Sequence, residues 1–275
     1  MDTCEYERIF TQYFFGGSEL AADLVTLDAL GEQSPVDWLA GHPRLVLRMK
    51  AAQQRCLVAM SAALQPHATQ LKCLPTTAEN CLAEDVEGLL GEMCRHVYPP
   101  DAVIYIVTER NYYCTPTSLR LMNLEGMQRA TPDNVEEIRA ALIPGIADKP
   151  EYLSGKDILG YGPAFAWYQD RQPVGFAGTH ASFMRDSVGN VGMVFVKEAY
   201  RRRGAGTALV AAVADALLAR GRLPVYGCFA NNIASTHSAE KAGFLFAGFS
   251  CRVFVADDME VHINGEKPIL SALEG

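Results

Sequence analysis

Three arginines and two glycines stand within one eight-residue run, Tyr200-Arg201-Arg202-Arg203-Gly204-Ala205-Gly206-Thr207, and their types and spacing point to anion binding. The run leads into a segment in which Leu209, Val210, Val213, Ala216 and Leu217 recur at spacings of three and four, with Gly221 where a C-terminal cap belongs. That periodicity predicts a helix whose start carries the glycines. The first N–H groups of a helix have no partner within it and lie at the positive end of its dipole, so an anion placed there gains several hydrogen bonds. Gly204 and Gly206 lack a Cβ and let a bulky anion approach the main chain, while the arginines add positive charge around it. The ligand this predicts is a diphosphate. Directly upstream, Val191-Gly192-Met193-Val194-Phe195-Val196 has the β-branched and aromatic composition of a buried strand.

Two common nucleotide loops are excluded by the residues themselves. A Walker-type loop ends in Gly-Lys-Ser/Thr, whereas Gly206 is followed by Thr207 and Ala208. The Rossmann fingerprint needs three glycines at fixed spacing, and only two are present.

Taken with its context, the run resembles the GNAT superfamily of acyl-CoA-dependent N-acyltransferases. The family loop, Gln/Arg-x-x-Gly-x-Gly/Ala, is matched at each defined position by Arg201-Arg202-Arg203-Gly204-Ala205-Gly206. The strand before it is similar to the one that hydrogen-bonds the pantetheine arm, and Pro224-Val225-Tyr226-Gly227-Cys228-Phe229 resembles the next core strand. Asn232-Ile233-Ala234-Ser235, leading into Glu240-Lys241-Ala242-Gly243-Phe244, is similar to the family's asparagine, short helix and closing Lys-x-Gly-Phe. The resemblance covers the second half of the chain.

The resemblance implies an α/β fold with a mixed sheet, a GNAT-type acetyltransferase domain over residues 118–275; the patterns upstream suggest a mostly helical N-terminal domain over 1–117, or a diverged half of the same fold. It implies transfer of an acetyl group from acetyl-CoA directly to a primary amine of a small molecule. The main chain of Val194, Phe195 and Val196 would hold the pantetheine arm. Arg201, Arg202, Arg203, Gly204, Ala205, Gly206 and Thr207 would hold the diphosphate, and Asn232 and Ser235 would steady the arm. The acid and base do not carry over. Where many members have a tyrosine two residues before the lysine this chain has Ala239, and where many have a glutamate on the central strand it has Asn190, which cannot act as a base. Tyr226 and Ser238 are substitutes for the acid; His180 and His237 have suitable intrinsic pKa values for a base, and a water relay needs no dedicated side chain. A catalytically silent CoA-binding module and a protein N-acetyltransferase are the alternative readings.

Composition bounds these readings. With 49% hydrophobic and 20% charged residues the chain has the make-up of a globular protein. It has no apolar run of membrane-spanning length, and its start, Met1-Asp2-Thr3-Cys4-Glu5-Tyr6-Glu7, is acidic rather than a basic leader; the expectation is a cytoplasmic protein without a membrane partner. The net charge of -8 disfavours nucleic acid and suits a cationic amine. Eight scattered cysteines include no C-x-x-C pair, so neither a metal site nor a disulfide framework is expected. A homodimer remains open.

The elements that must position the loop follow from pattern. Tyr6, Ile9, Phe10, Tyr13 and Phe14 form a helical stripe, with a second beginning near Leu20, and residues 35–65 read as one or two further helices. Thr76–His96 reads as an amphipathic helix, Ala102–Val107 as a strand, and Tyr112 and Tyr113 as part of a loop or short strand, either lining a pocket or packed. Leu119–Met122 is expected as the first strand of the second domain, followed by a helix capped by Thr131 with Pro132 at its first position. The segment from Ile143 to Gly162, rich in glycine and proline, would wall the acceptor pocket by resemblance. Ala164–Gln169 and Val174–Thr179 read as a hairpin about Asp170-Arg171-Gln172-Pro173, and Phe249–Val255 as a final strand.

Overall fold

The structure, a computed structural model, describes residues 3–14, 24–26, 45–52, 55–60, 64, 66, 83–100, 102, 104–142, 159–180, 184 and 186–255. In chain order its elements are α1 (Thr3–Phe14), β1 (Leu24–Thr26), β2 (Leu45–Ala52), β3 (Arg55–Met60), α2 (Ala83–Val97) and β4 (Ile104–Tyr113). There follow β5 (Met127–Arg129), α3 (Val135–Leu142), β6 (Phe165–Gln169), β7 (Gln172–His180) and β8 (Val188–Val196). Then come a 3-10 turn (Glu198–Tyr200), α4 (Ala205–Leu218), β9 (Leu223–Phe229), α5 (Ile233–Ala242) and β10 (Leu245–Val255). Contacts group the chain into two units that interleave in sequence, where the sequence suggests a single boundary. The first is Met1–Tyr13, Tyr112–Gly227 and Asn232–Leu245; the second is Phe14–Asn111, Cys228–Asn231 and Phe246–Gly275.

The first unit holds strands in the order β9-β8-β7-β6-β5. All pair antiparallel except β8 with β9, which run parallel. Asp170 and Arg171 both have positive φ, as a two-residue hairpin turn requires, and they join β6 to β7 as expected. Ala130, Val135, Ile138, Leu142, Ala164, Ala166 and Phe176 form one core cluster around α3. Helix α4 is buried almost all round, through Leu209, Val210, Val213 and Leu217 and also through its alanines, a wider apolar surface than one stripe. It lies close against β7 and β8 because those strands carry glycines: a Cβ on Gly175 would come 3.2 Å from Leu209 Cδ1, and one on Gly189 would collide with the Leu217 side chain. Gly221 ends the helix in the left-handed region, with its N–H donating to Leu218 O and that of Arg222 to Leu217 O. Along α1, Tyr6, Ile9 and Phe10 are buried, and the Phe10 ring sits 5.0 Å from that of Tyr113.

The second unit has its own strand order, β1-β3-β2-β10-β4. Leu64, Val86, Leu90, Met93, Cys94, Ile104, Ile106, Phe249, Cys251 and Val253 make its core. Arg252 and Glu109 form an ion pair at 2.5 Å, and Ser250 donates to the same carboxylate.

Several expectations need correction. Within 35–65, residues 45–52 and 55–60 form β2 and β3 rather than helix; Leu47, Met49 and Ala51 alternate with Arg48 and Lys50, the period-two pattern of a strand. Leu119–Met122 is an irregular segment, exposed from Arg120 on, because its main chain is taken elsewhere: Leu119 N–H donates to Thr115 O and Arg120 N–H to Ala242 O. The strand expected there begins at Met127. Helix α3 starts at Val135, after a turn in which Asn134 Oδ1 accepts from Thr131 N–H. Strand β4 runs through Tyr112 and Tyr113; the Tyr112 side chain is fully buried and its hydroxyl donates to Glu240 Oε1 at 3.5 Å. The stripe beginning near Leu20, residues 76–82 and 143–158, and the tail beyond 255 lie outside the described residues or touch them only in part.

Candidate functional site: an uncapped helix start beside an open strand edge

The first unit assembles its site from β8, the following loop, α4 and α5. Strands β8 and β9 pair only from Val188↔Leu223 to Val191↔Tyr226. Past Val191, residues Gly192–Val196 continue along β7 but are no longer paired with β9, and all five are half-buried. A strand edge left open in this way presents N–H and C=O groups to whatever enters. Val194, Phe195 and Val196, expected to hold the arm, stand on this edge.

The loop that follows is bent tightly. Arg202 has φ +62° and Gly204 φ +78°, both left-handed, and Gly204 is the N-cap of α4 with no side chain accepting from the helix. Residues of alternating hand turn successive N–H groups toward one side, which is how main-chain anion cradles form. Two of the three arginines also brace the loop. Arg201 Nε donates to Val196 O at 2.9 Å, and the Arg203 guanidinium donates to Ala199 O and lies 5.5 Å from the Tyr200 ring centroid. Tyr200 in turn meets Trp167 edge-on at 5.9 Å. All three arginines and Gly204 are exposed, while Ala205 and Thr207 are buried and hold the first turn in place.

Three residues singled out from sequence come together here. A Cβ on Gly206 would lie 3.4 Å from Ser238 Oγ and 4.0 Å from Val194 Cγ1, so α4, α5 and β8 meet at that glycine. Ser238 Oγ donates to Ala234 O at 2.8 Å. Asn232 caps α5, its Oδ1 accepting from Ser235 N–H at 3.1 Å. Gly243 closes α5 at φ +94°, where a side chain would run into the Ser118 carbonyl. Tyr226 is 4% exposed, and its ring packs edge-on against Phe244 at 5.8 Å. Ala239 is fully buried and His237 is exposed.

His180 stands at the end of β7, where its Nε2 accepts the Met193 N–H at 3.1 Å. Burial pushes its pKa down to about 4, so the ring is neutral at physiological pH with its proton on Nδ1. A histidine so engaged is not a base for an ammonium. Burial also raises the Cys94 and Cys114 thiols, to about 12 and about 11, so neither supplies a thiolate. Among the described residues no cluster of His, Cys, Asp and Glu could hold a metal, and no helix is long and apolar enough to cross a membrane.

An open strand edge running into an uncapped, glycine-started helix has the main-chain donors an anion could use. Comparison with known families bears on this: residues 135–244 match the family model described as the Acetyltransferase (GNAT) family. Among solved structures, an acetyltransferase of the GNAT family from Colwellia psychrerythraea aligns with 92% of this chain and 98% of its own, at 12% identity and a TM-score of 0.50. A GCN5-related N-acetyltransferase-like protein from Streptococcus suis aligns with 92% of this chain and 100% of its own, at 13% identity and a TM-score of 0.43. A GCN5-related N-acetyltransferase from Kribbella flavida aligns with 62% of this chain and 63% of its own, at 16% identity and a TM-score of 0.44. At these identities the Colwellia likeness bears on fold alone, and it reaches well beyond residues 135–244. No curated protein matches the chain.

Proposed function

We propose that the protein transfers an acetyl group from acetyl-CoA to a primary amine of a small molecule. The observation that carries the reading is the start of α4, whose cap is a left-handed glycine without a side chain to satisfy the first N–H groups, beside the open edge of β8. The residues fit a CoA ester: α4 supplies N–H groups and dipole to the diphosphate, exposed arginines supply charge, and Val194–Val196 supply an extended edge for the arm.

Acetyl-CoA brings an activated acyl carbon. The ammonium first gives one proton to solvent; the free amine nitrogen then forms the new C–N bond as the C–S bond breaks, and the second proton lost from nitrogen ends on the departing thiolate, giving the thiol. What this chain contributes is position, which is worth much in a reaction between two bound partners. Its usual acid and base positions hold Ala239 and Asn190, and His180 is spent on Met193, so deprotonation runs through water. Ser238, beside Gly206, carries a hydroxyl that the acid role could use in place of its bond to Ala234 O.

The test is release of free thiol from acetyl-CoA in the presence of a broad panel of primary amines. Amine-dependent release well above hydrolysis is expected; binding of acetyl-CoA without turnover on any amine or peptide N-terminus would support the silent CoA-binding module instead.

A further inference from the structure

Between the pairs Phe176↔Phe195 and Gly178↔Gly192, β7 has one residue and β8 has two, Met193 and Val194. That extra residue is a β-bulge on β8, and Met193 takes φ +51°, a conformation a non-glycine residue adopts only where its surroundings hold it. A bulged N–H leaves the ladder and needs another acceptor when half-buried. The acceptor is His180 Nε2. Two glycines that face each other across the strands make the arrangement possible. A Cβ on Gly192 would run into the imidazole, and one on Gly178 would come 2.7 Å from Met193 Cε. The ring therefore lies over one glycine and the methionine side chain over the other.

The bulge sits where β8 ceases to pair with β9, two residues past Val191↔Tyr226, and one residue before Val194 reaches the neighbourhood of Gly206. Bulges bend and twist the strand that carries them, so this one sets the direction of the Val194–Val196 edge relative to the α4 loop. We infer that His180 is a positioning residue: its imidazole holds the Met193 bulge and so aims the open edge of β8 along the acyl-bearing arm of the ligand. This rests on the acyl-CoA reading. It assigns His180 an acceptor's role, for which a neutral ring with Nε2 unprotonated is the required state.

The test separates the arm from the nucleotide. His180→Phe keeps the ring's bulk and removes the acceptor, while His180→Gln returns an acceptor oxygen near the place of Nε2. Each variant is titrated with acetyl-CoA and with adenosine 3′-phosphate 5′-diphosphate, which carries the diphosphate and lacks the arm. His180→Phe is expected to weaken acetyl-CoA about tenfold and leave the nucleotide fragment within twofold, with His180→Gln recovering most of the loss. Faster hydrogen exchange at the Met193 amide in His180→Phe alone accompanies it. Equal losses for both ligands, or unchanged acetyl-CoA binding in His180→Phe, overturns the inference. Should His180→Phe fail to fold, Gly192→Ala, which displaces the ring by one methyl, carries the same expectation and the same refutation. If the unaltered protein binds neither ligand, the acyl-CoA reading itself has failed, which shows without any variant.

Discussion

Helices α4 and α5 lie in the same unit and meet at Gly206, yet they begin in opposite ways. At α5, Asn232 folds its side chain over the first turn and accepts from Ser235 N–H. At α4, Gly204 offers no side chain, sits at φ +78° and leaves the first N–H groups without a side-chain acceptor beside three exposed arginines. A capped start is a stability device, worth about 1 kcal/mol to its helix. An uncapped start forgoes that stabilisation and keeps donors available for an anion. The difference is one of donors: α5 has a side-chain acceptor at its start and α4 has none, although the resemblance gives both starts to the same ligand.

Substitutions can break this contrast. The largest effect is expected at Gly204. Gly204→Val puts a β-branched residue in the left-handed region and a side chain beside Met122 Cε, and acetyl-CoA affinity should fall a hundredfold or more by calorimetry, about 2.7 kcal/mol. Gly204→Asn transplants the α5 arrangement onto α4: asparagine tolerates a positive φ and brings its own acceptor, so affinity should fall about tenfold with no loss of thermal stability. Retained affinity in Gly204→Asn would mean that the α4 N–H groups are not what holds the ligand. The smallest effect is expected at Asn232. Asn232→Ala should lower the melting temperature by about 2–4 °C and change acetyl-CoA affinity by less than threefold. A larger loss of affinity would restore Asn232 to the arm contact that the resemblance gives it.

Much of the site was legible before any coordinates. Strand, glycine loop and helix over 191–218 each carry a local signal, and the hairpin at Asp170-Arg171 is written in its turn residues. What escaped depends on partners distant in sequence. That Tyr226 packs on Phe244 while Ser238 faces Gly206 is set by how α5 docks on α4 and β8, which no local pattern encodes. The same holds for His180. A lone histidine near a strand end gives no sign of its acceptor role, though Gly178, His180 and Gly192 at alternating positions of paired strands was a signal for close packing. Strands β2 and β3 depart from the helical expectation for another reason: Leu47, Met49 and Ala51 alternate with Arg48 and Lys50, a short period-two signal in a segment of high apolar content.

In the proposed complex the ligand's diphosphate rests on the start of α4 and its arm on the open edge of β8. Amide chemical shifts of the isotope-labelled protein, followed during addition of acetyl-CoA, test this most directly. The largest changes are predicted at Gly204–Thr207 and Val194–Val196, with smaller ones at Ile233–Ser235. Unmoved Gly204–Thr207 resonances under saturating acetyl-CoA, with changes concentrated elsewhere, would contradict it.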